Sequence, residues 1–236
     1  MSGSEDFIIG VPAGHIGYTV FYNNFLRWIS GQPVRPMIAE SNRVDVNRSQ
    51  IIEVAKREKK HIIFLDSDAL PQLSLVDMIK LIEEDFKKCD IVVAPVRGVN
   101  GQILIKPLKG GFQFPQKASE FVPFEVEAGS FTFAAVSYKL IEKLKPLSQY
   151  GLVDNTFVPL YVAYTTQTSE EYAFCKKARK DYGAKIYCDP RMRVSHFKAI
   201  PLEPPMPIEE IQERQKAYQK MLEEKGKSIP EEVEEI

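Results

Sequence analysis

Short apolar runs alternate with segments of helical period along the first hundred residues, and this alternation most constrains the fold. The runs cover residues 7–12, 36–39, 61–65 and 91–94. Strands that are apolar throughout are typical of parallel sheets, which helices cover on both faces. The segments between the runs carry apolar residues every three or four positions, as amphipathic helices do. The sequence therefore predicts an α/β fold with a mostly parallel central sheet and helices on both faces.

Local signals place several of these elements more closely. Ser74 with Asp77 three residues later predicts a helix start, and Gly31 predicts the end of an earlier helix. Further along the chain we expect a strand over 131–136, helices over 137–144 and 169–180, a strand over 185–188 and a short strand ending at His196. Residues 97–128 are expected to form loops and a hairpin, and 148–168 show no clear period.

The chain is expected to divide near residue 200. A main domain would cover 1–200, and a proline-rich hinge with a C-terminal amphipathic helix and tail would cover 201–236. The helix carries an apolar stripe at three-four spacing, which includes Ile208, Ile211, Tyr218 and Leu222. This stripe either packs back on the domain, which we favour, or meets a partner, such as a second copy in a homo-oligomer.

Composition excludes several classes of protein. The 31 Lys and Arg nearly balance the 32 Asp and Glu, so no broad nucleic-acid-binding surface is expected. Cys89, Cys175 and Cys188 are widely spaced without a Cys-x-x-Cys pair, which favours a reducing compartment. No apolar run is long enough for a transmembrane segment, and the N-terminus is acidic. We therefore expect a cytoplasmic protein, with peripheral attachment to a membrane left open.

The strongest chemical signal is Asp66-Ser67-Asp68, which directly follows the apolar run 61–65. In open α/β sheets, ligands bind beyond the carboxyl ends of the strands, where these two acids would lie. Two carboxylates one residue apart can share a hard divalent cation such as Mg²⁺ or Mn²⁺. Two surface acids at the start of a loop would give the same pattern, but the preceding buried strand favours a metal site.

Other candidate residues have both structural and functional interpretations. His196 is either a further metal ligand or a buried structural histidine. Glu170 and Glu171 open a helix, where acids are favoured by the helix dipole, but either could act as a general base. Arg43 and Arg48 flank a helix start and could contact a phosphate or a base, or could be solvated surface residues.

These motifs occur together and in a recognisable order, and the chain resembles the GT-A glycosyltransferases of the family 2-like group, particularly their short prokaryotic and viral members. The resemblance covers about residues 7–198 and is most specific at 64–68, 169–175 and 189–196. It implies transfer of a sugar from a nucleoside-diphosphate sugar to a hydroxyl of a glycan, lipid or protein acceptor. A hexosyltransferase (EC 2.4) that uses Mn²⁺ or Mg²⁺ is implied, with inversion favoured.

The same resemblance implies roles for individual residues. It implies metal ligation by Asp66, Asp68 and His196 and donor binding by Pro12, Ala13, Gly14, Arg48 and Asp66, with Gly129 facing the sugar and acceptor. It also implies a general base in the late acidic pair, here Glu171 beside Glu170. That pair is usually Glu-Asp in the family, so the carboxylate of Glu171 is displaced by roughly an ångström. His15 also departs from the family pattern in the first-strand loop.

Three alternatives remain. A sugar-phosphate nucleotidyltransferase would need a basic glycine-rich first loop, but residues 12–17 contain no Lys or Arg. A phosphatase of the haloacid dehalogenase type would need Thr or Val where this chain has Leu70. A non-catalytic protein that binds a nucleotide or carbohydrate, or acts in assembly, on a GT-A fold would tolerate the altered acidic pair.

Overall fold

A computed structural model describes most of the chain. The described residues are 4–13, 19–41, 43–98, 100–108, 110, 113–148, 150–153, 156–163, 169–197, 201–202 and 205–224. The helices are α1 Thr19–Ile29, α2 Val44–Glu58, α3 Leu75–Phe86, α4 Tyr138–Ile141, α5 Glu170–Tyr182 and α6 Ile208–Glu224. The strands are β1 Phe7–Ala13, β2 Arg35–Glu40, β3 His61–Leu65, β4 Ala69–Pro71, β5 Ile91–Val93, β6 Ile105–Pro107, β7 Phe124–Gly129, β8 Phe133–Val136, β9 Tyr150–Val153, β10 Thr156–Pro159, β11 Ile186–Cys188, β12 Val194–Phe197 and β13 Pro201–Leu202.

An eight-stranded sheet forms the centre of the fold, with strand order β2-β1-β3-β8-β5-β11-β7-β6. Six of these strands run in one direction, and β7 and β8 run against them. The carboxyl ends of β1, β2, β3, β5 and β11 therefore meet at one edge of the sheet. The predicted α/β class, with a large central sheet, flanking helices and a C-terminal helix, is confirmed.

One face of the sheet packs on α1 and α3. Alternate residues of β1, including Phe7 and Ile9, join a buried core with Phe25 of α1 and Met78 of α3. The predicted start of α3 is also confirmed, because the Ser74 hydroxyl accepts a hydrogen bond from the backbone N–H of Asp77. Alternate residues of the strand and regularly spaced residues of the two helices therefore face the same core.

Helices α2 and α5 cover the other face. A Cβ at Gly10 would lie 2.4 Å from Cγ2 of Ile51, so α2 approaches β1 closely at this glycine. Phe131 stacks on Phe64 of β3 and meets the ring of Phe174 of α5 edge-on, with ring centroids 5.5 Å apart in both pairs. Helices therefore cover both faces, as the sequence predicts.

The structure differs from the sequence expectations at several short strands and at one helix. Phe131 precedes β8 rather than lying within it, and α4 is shorter than predicted. The stretch 148–168 contains the antiparallel pair β9–β10. A separate three-stranded sheet, β13-β12-β4, follows the Asp pair. Strands of two to four residues are too short to show a two-residue period, so the sequence pattern did not reveal them.

The chain forms two compact units, Met1–Phe112 with Val122–Pro205, and Gln113–Phe121 with Met206–Ile236. In the second unit, the N–H of Ile208 at the start of α6 donates to the carbonyl of Gln116 at 2.8 Å. The carboxylate of Glu209 accepts a hydrogen bond from the N–H of Ala118 at 3.2 Å. The segment 113–121 therefore binds the first turn of α6 within this unit.

Candidate active site

The small three-stranded sheet brings Asp68 and His196 together. Strand β4 starts directly after Asp68 and pairs antiparallel with β12, so that Ala69 lies opposite His196. The N–H of Phe197 donates to the carbonyl of Asp68 at 2.6 Å. As a result, Nε2 of His196 lies 3.3 Å from Oδ2 of Asp68. Two residues far apart in sequence thus form one cluster next to the carboxyl end of β3.

The other nitrogen of His196 fixes the orientation of the ring. Nδ1 lies 3.0 Å from the carbonyl oxygen of Arg97. A carbonyl oxygen only accepts hydrogen bonds, so Nδ1 carries the hydrogen, and Nε2 is the nitrogen that faces Asp68. A backbone carbonyl behind a histidine is a common support for a metal ligand, because it sets both tautomer and ring orientation.

Arg48 of α2 forms the second cluster, with carboxylates from two other parts of the chain. Nη2 of Arg48 donates to Oδ1 of Asp66 at 2.8 Å, and Nη1 donates to Oε1 of Glu170. Oε2 of Glu171 lies 3.7 Å from Nη1. The side chains of Arg48 and Glu170 are 3% and 4% exposed, whereas those of Asp66 and Glu171 are 23% and 16% exposed. The latter two therefore remain accessible to a ligand.

Acidic side chains are concentrated in this region. Burial raises the pKa of the Asp66 carboxyl above its ordinary value, Arg48 opposes that shift, and the negative charge of Asp68 adds to it. Four acidic side chains lie near two basic groups: Asp66, Glu170 and Glu171 near the guanidinium of Arg48, and Asp68 near the imidazole of His196. A bound cation would reduce the repulsion among these acids.

The remaining predicted site residues lie at strand ends. Pro12 and Ala13 end β1 and are buried, and the carbonyl of Ala13 accepts a hydrogen bond from Nδ2 of Asn47 at 2.8 Å. Gly14 lies outside the described residues. Gly129 ends β7, where a Cβ would lie 2.6 Å from Cγ2 of Val93, so close packing explains this glycine. Arg43 precedes α2 and forms an ion pair with Asp45.

Sequence reasoning missed polar residues of α2 that support the site. The hydroxyl of Ser49 accepts hydrogen bonds from the N–H groups of Tyr161 at 3.0 Å and Val162 at 3.4 Å. The Tyr161 hydroxyl donates to Glu53 at 2.6 Å. These bonds hold residues 161–162, which precede α5 in the chain, against α2. Ser49 follows Arg48 directly in α2. Its place as a polar residue in a predicted helix was the one sequence feature that could have pointed to this role.

The donor set fits a divalent cation in part. Among the described residues, no group of three or more His, Cys, Asp and Glu side chains is arranged to hold a metal. Asp68 and His196 supply two donors, 3.3 Å apart. Neighbouring ligands about 2.1 Å from an octahedral ion lie roughly 3 Å apart, so this separation is suitable. Asp66 instead binds Arg48. Asp68 and His196 could therefore supply two of the ligands of a divalent cation.

Comparison with known proteins supports the fold alone. No protein-family model and no curated protein match the chain. The crystal structure of A197 from STIV is similar with a TM-score of 0.57 and 15% identity, covering 81% of this chain and 85% of that chain. The architecture is consistent with a GT-A-like fold.

Two further solved structures show weaker similarity. GalNAc-T7, solved with UDP, GalNAc and Mn²⁺, has a TM-score of 0.45 and 14% identity, covering 82% of this chain and 37% of that chain. HddC from Yersinia pseudotuberculosis, complexed with GMP-PN, has a TM-score of 0.38 and 13% identity, covering 89% of this chain and 77% of that chain.

The described helices of this chain give no sign of a membrane span. In the described part of the chain, no helix combines the length and apolar character that a bilayer span requires.

A buried acidic pair supports the turn that leads from β11 to β12. Asp189 accepts hydrogen bonds from the Arg191 guanidinium at 2.9 to 3.1 Å. Asp85 of α3 is 1% exposed, and its Oδ1 lies 3.6 Å from Nη2 of Arg191. Burial, together with the negative charge of Asp189, raises the pKa of Asp85 to about 7. Asp85 is therefore protonated in the folded protein at mildly acidic pH.

This shift predicts how stability depends on pH. Between about pH 4 and 7 the folded protein holds a proton on Asp85 that the unfolded chain has lost, so stability decreases as pH rises. Asp85→Asn is neutral throughout, and we expect its stability relative to wild type to rise by about 1–2 kcal/mol between pH 5 and 8. Urea denaturation at both pH values measures the change. Glu84→Gln is the control, because Glu84 is half exposed and contacts the same Arg191. An equal gain in both variants would contradict the assignment.

Proposed function

We propose that this protein is a metal-dependent glycosyltransferase that moves a sugar from a nucleoside-diphosphate sugar to an acceptor hydroxyl. The observation that carries the proposal is the meeting of Asp68 and His196 beside Asp66, at the sheet edge where α/β folds bind their ligands. The partly exposed Glu171 adds a carboxylate 3.7 Å from Nη1 of Arg48, whose Nη2 binds Asp66. These contacts support a proposal in which the groups that would bind a metal and the group that would accept a proton belong to one site.

In this proposal, Asp68 and His196 would hold Mn²⁺ or Mg²⁺, and the ion would help to bind the diphosphate of the donor. When bound, such an ion neutralises the charge that develops on a departing diphosphate. Asp66 is held by Arg48 and faces the donor, either beside the ion or beside the ribose. Pro12, Ala13 and Gly14 form the nucleotide side of the site, and Gly129 the side of the sugar and acceptor.

Glu171 is the proposed general base. Glu170 is buried and bound to Arg48, whereas Glu171 is partly exposed and lies farther from the guanidinium. Glu171 accepts the proton of the acceptor hydroxyl while the hydroxyl oxygen bonds to the anomeric carbon of the sugar. The bond from the anomeric carbon to the diphosphate oxygen breaks, and its electron pair leaves with the nucleoside diphosphate. Attack from the face opposite the leaving group would invert the anomeric carbon.

A non-catalytic protein that binds a nucleotide or carbohydrate is the second candidate. The observation that favours it is that one of the two late acids, Glu170, is occupied by a buried ion pair. Such a protein would keep the donor site without turnover.

The glycosyltransferase proposal has three further elements. The acceptor is a glycan, lipid or protein. The protein is cytoplasmic with peripheral membrane attachment, and its copies associate through α6.

A thermal-shift screen tests the donor site. We expect one of UDP, GDP, CDP or dTDP, or its sugar conjugate, to raise the melting temperature in the presence of Mn²⁺ and not in EDTA. A ligand at a hundred times its Kd adds about 2.7 kcal/mol of stability, which is roughly 5–10 °C for a chain of this size. Asp68→Ala should abolish the shift. If no nucleotide gives a metal-dependent shift in wild type, the donor-site proposal is wrong.

A further inference from the structure

Arg48 joins two elements that carry different parts of the proposed chemistry. Nη2 binds Asp66, which directly follows β3, and Nη1 binds Glu170, the first residue of α5. These partners are separated by more than a hundred residues in sequence. Because a guanidinium is planar and rigid, its two hydrogen bonds fix the two carboxylates relative to each other.

Aromatic rings connect the same two elements. The guanidinium carbon of Arg48 lies 5.6 Å from the centre of the Phe131 ring. Phe131 stacks on Phe64, two residues before Asp66, and meets Phe174, three residues after Glu171. The same two elements are therefore joined a second time, by packed rings. This apolar surface also strengthens the ion pairs, because it excludes water from one side of the guanidinium.

The burial of Arg48 determines what it can contact. Its side chain is 3% exposed, and its Nε is buried and has no hydrogen-bond partner among the described residues. A guanidinium so enclosed cannot reach a phosphate without breaking its bonds to both carboxylates. Direct nucleotide binding, which the resemblance implies for this position, would therefore require rearrangement of the site.

We propose that Arg48 is a positioning residue that fixes the start of α5, and with it Glu171, against Asp66 on the donor side. The inference rests on the proposed function for its catalytic consequence, but the structural link does not depend on any ligand. Glu170 is the anchor of this link, and Glu171 is the adjacent reactive carboxylate. Lysine cannot replace the link, because an ammonium group lacks the planar fork that binds both acids at fixed geometry.

A double-mutant cycle tests the link without substrate. With Arg48 present, Asp66→Asn or Glu170→Gln alone leaves one of the two hydrogen-bonded carboxylates. The double variant removes both and leaves the guanidinium with the more distant Glu171, 3.7 Å from Nη1. We expect the double variant to lose at least about 5 °C more in melting temperature than the sum of the single losses. When Arg48 is also replaced by lysine, this excess loss of melting temperature should be less than about half of its value with arginine. When Arg48 is replaced by methionine, the excess loss should vanish. Glu53→Gln with Glu170→Gln is the control pair and should be additive, since Glu53 binds Tyr161.

Kinetics then separates positioning from a purely structural role. Arg48→Lys should lower kcat by about 10- to 100-fold while the Mn²⁺-dependent Kd of the nucleoside diphosphate changes by less than about threefold. Unchanged kcat in a folded Arg48→Lys protein would overturn the positioning role. Additive losses in the cycle with Arg48 present would overturn the link. A wild-type protein without transfer activity would refute the proposed function and leave the outcome of the cycle unaffected.

Discussion

Replacing Asp68 with alanine is expected to lower metal-dependent sugar transfer by on the order of 10³-fold, because the substitution removes one of two protein ligands proposed for the ion. The fold should be retained. The side chain is 18% exposed, and the hydrogen bond that joins Asp68 to β12 uses its backbone carbonyl. Release of nucleoside diphosphate from a sugar nucleotide, measured with and without Mn²⁺, gives the rate, and circular dichroism checks the fold.

Asp181→Ala is the matched control for this experiment. Asp181 forms an exposed ion pair with Lys177 within α5, and such a pair contributes little to stability. Its loss should change neither transfer nor metal dependence. Full activity of Asp68→Ala in Mn²⁺ would refute the metal site.

The second large effect is expected at Glu171. Glu171→Gln removes the carboxylate that accepts the proton of the acceptor hydroxyl, and kcat should fall by about 10²–10⁴-fold. The Mn²⁺-dependent binding of the nucleoside diphosphate should be retained, because Asp68 and His196 are unchanged. Steady-state kinetics and calorimetry measure the two quantities separately.

Two neighbouring variants make the assignment of the base specific. Glu171→Asp keeps a carboxylate and should retain more activity than Glu171→Gln. Glu170→Gln should lower kcat less than Glu171→Gln, because Glu170 is proposed to anchor α5 rather than to contact the acceptor. A larger loss of kcat in Glu170→Gln than in Glu171→Gln would assign the base to Glu170 instead.

Much of the fold can be predicted from the sequence, because strong periodicity marks its central elements. The apolar strand 61–65 and the acids that follow it predict at which edge of the sheet a ligand would bind. Helix α3 has a clear capping serine and a regular apolar face. Tertiary pairing of β4 with β12, in contrast, depends on strands of three and four residues, whose pattern is too short to read. The meeting of His196 with Asp68 follows from that pairing, which the apolar pattern does not show; in the sequence it is implied by the family resemblance alone.

The role of Arg48 shows a second limit of sequence analysis. Helix α2 has an apolar face, but it also buries the polar residues Asp45, Asn47, Arg48 and Ser49. A hydrophobic pattern treats such positions as solvent-facing, so a buried arginine and a surface arginine look alike. Burial against Asp66 and Glu170 distinguishes them. Of the three residues predicted to bind a metal, Asp66 binds Arg48, whereas Asp68 lies beside His196.

Calorimetric titration of Mn²⁺ into wild type and Asp68→Ala, with and without the nucleoside diphosphate that stabilises the protein most, tests the central claim most directly. With Asp68 and His196, 3.3 Å apart, as the proposed donors, the ion should bind weakly alone and at least about tenfold more tightly with the nucleotide. Asp68→Ala should lose this coupling. Equal binding of the nucleotide in Mn²⁺ and in EDTA, or retained coupling in Asp68→Ala, would contradict a metal-bridged donor site at Asp68 and His196.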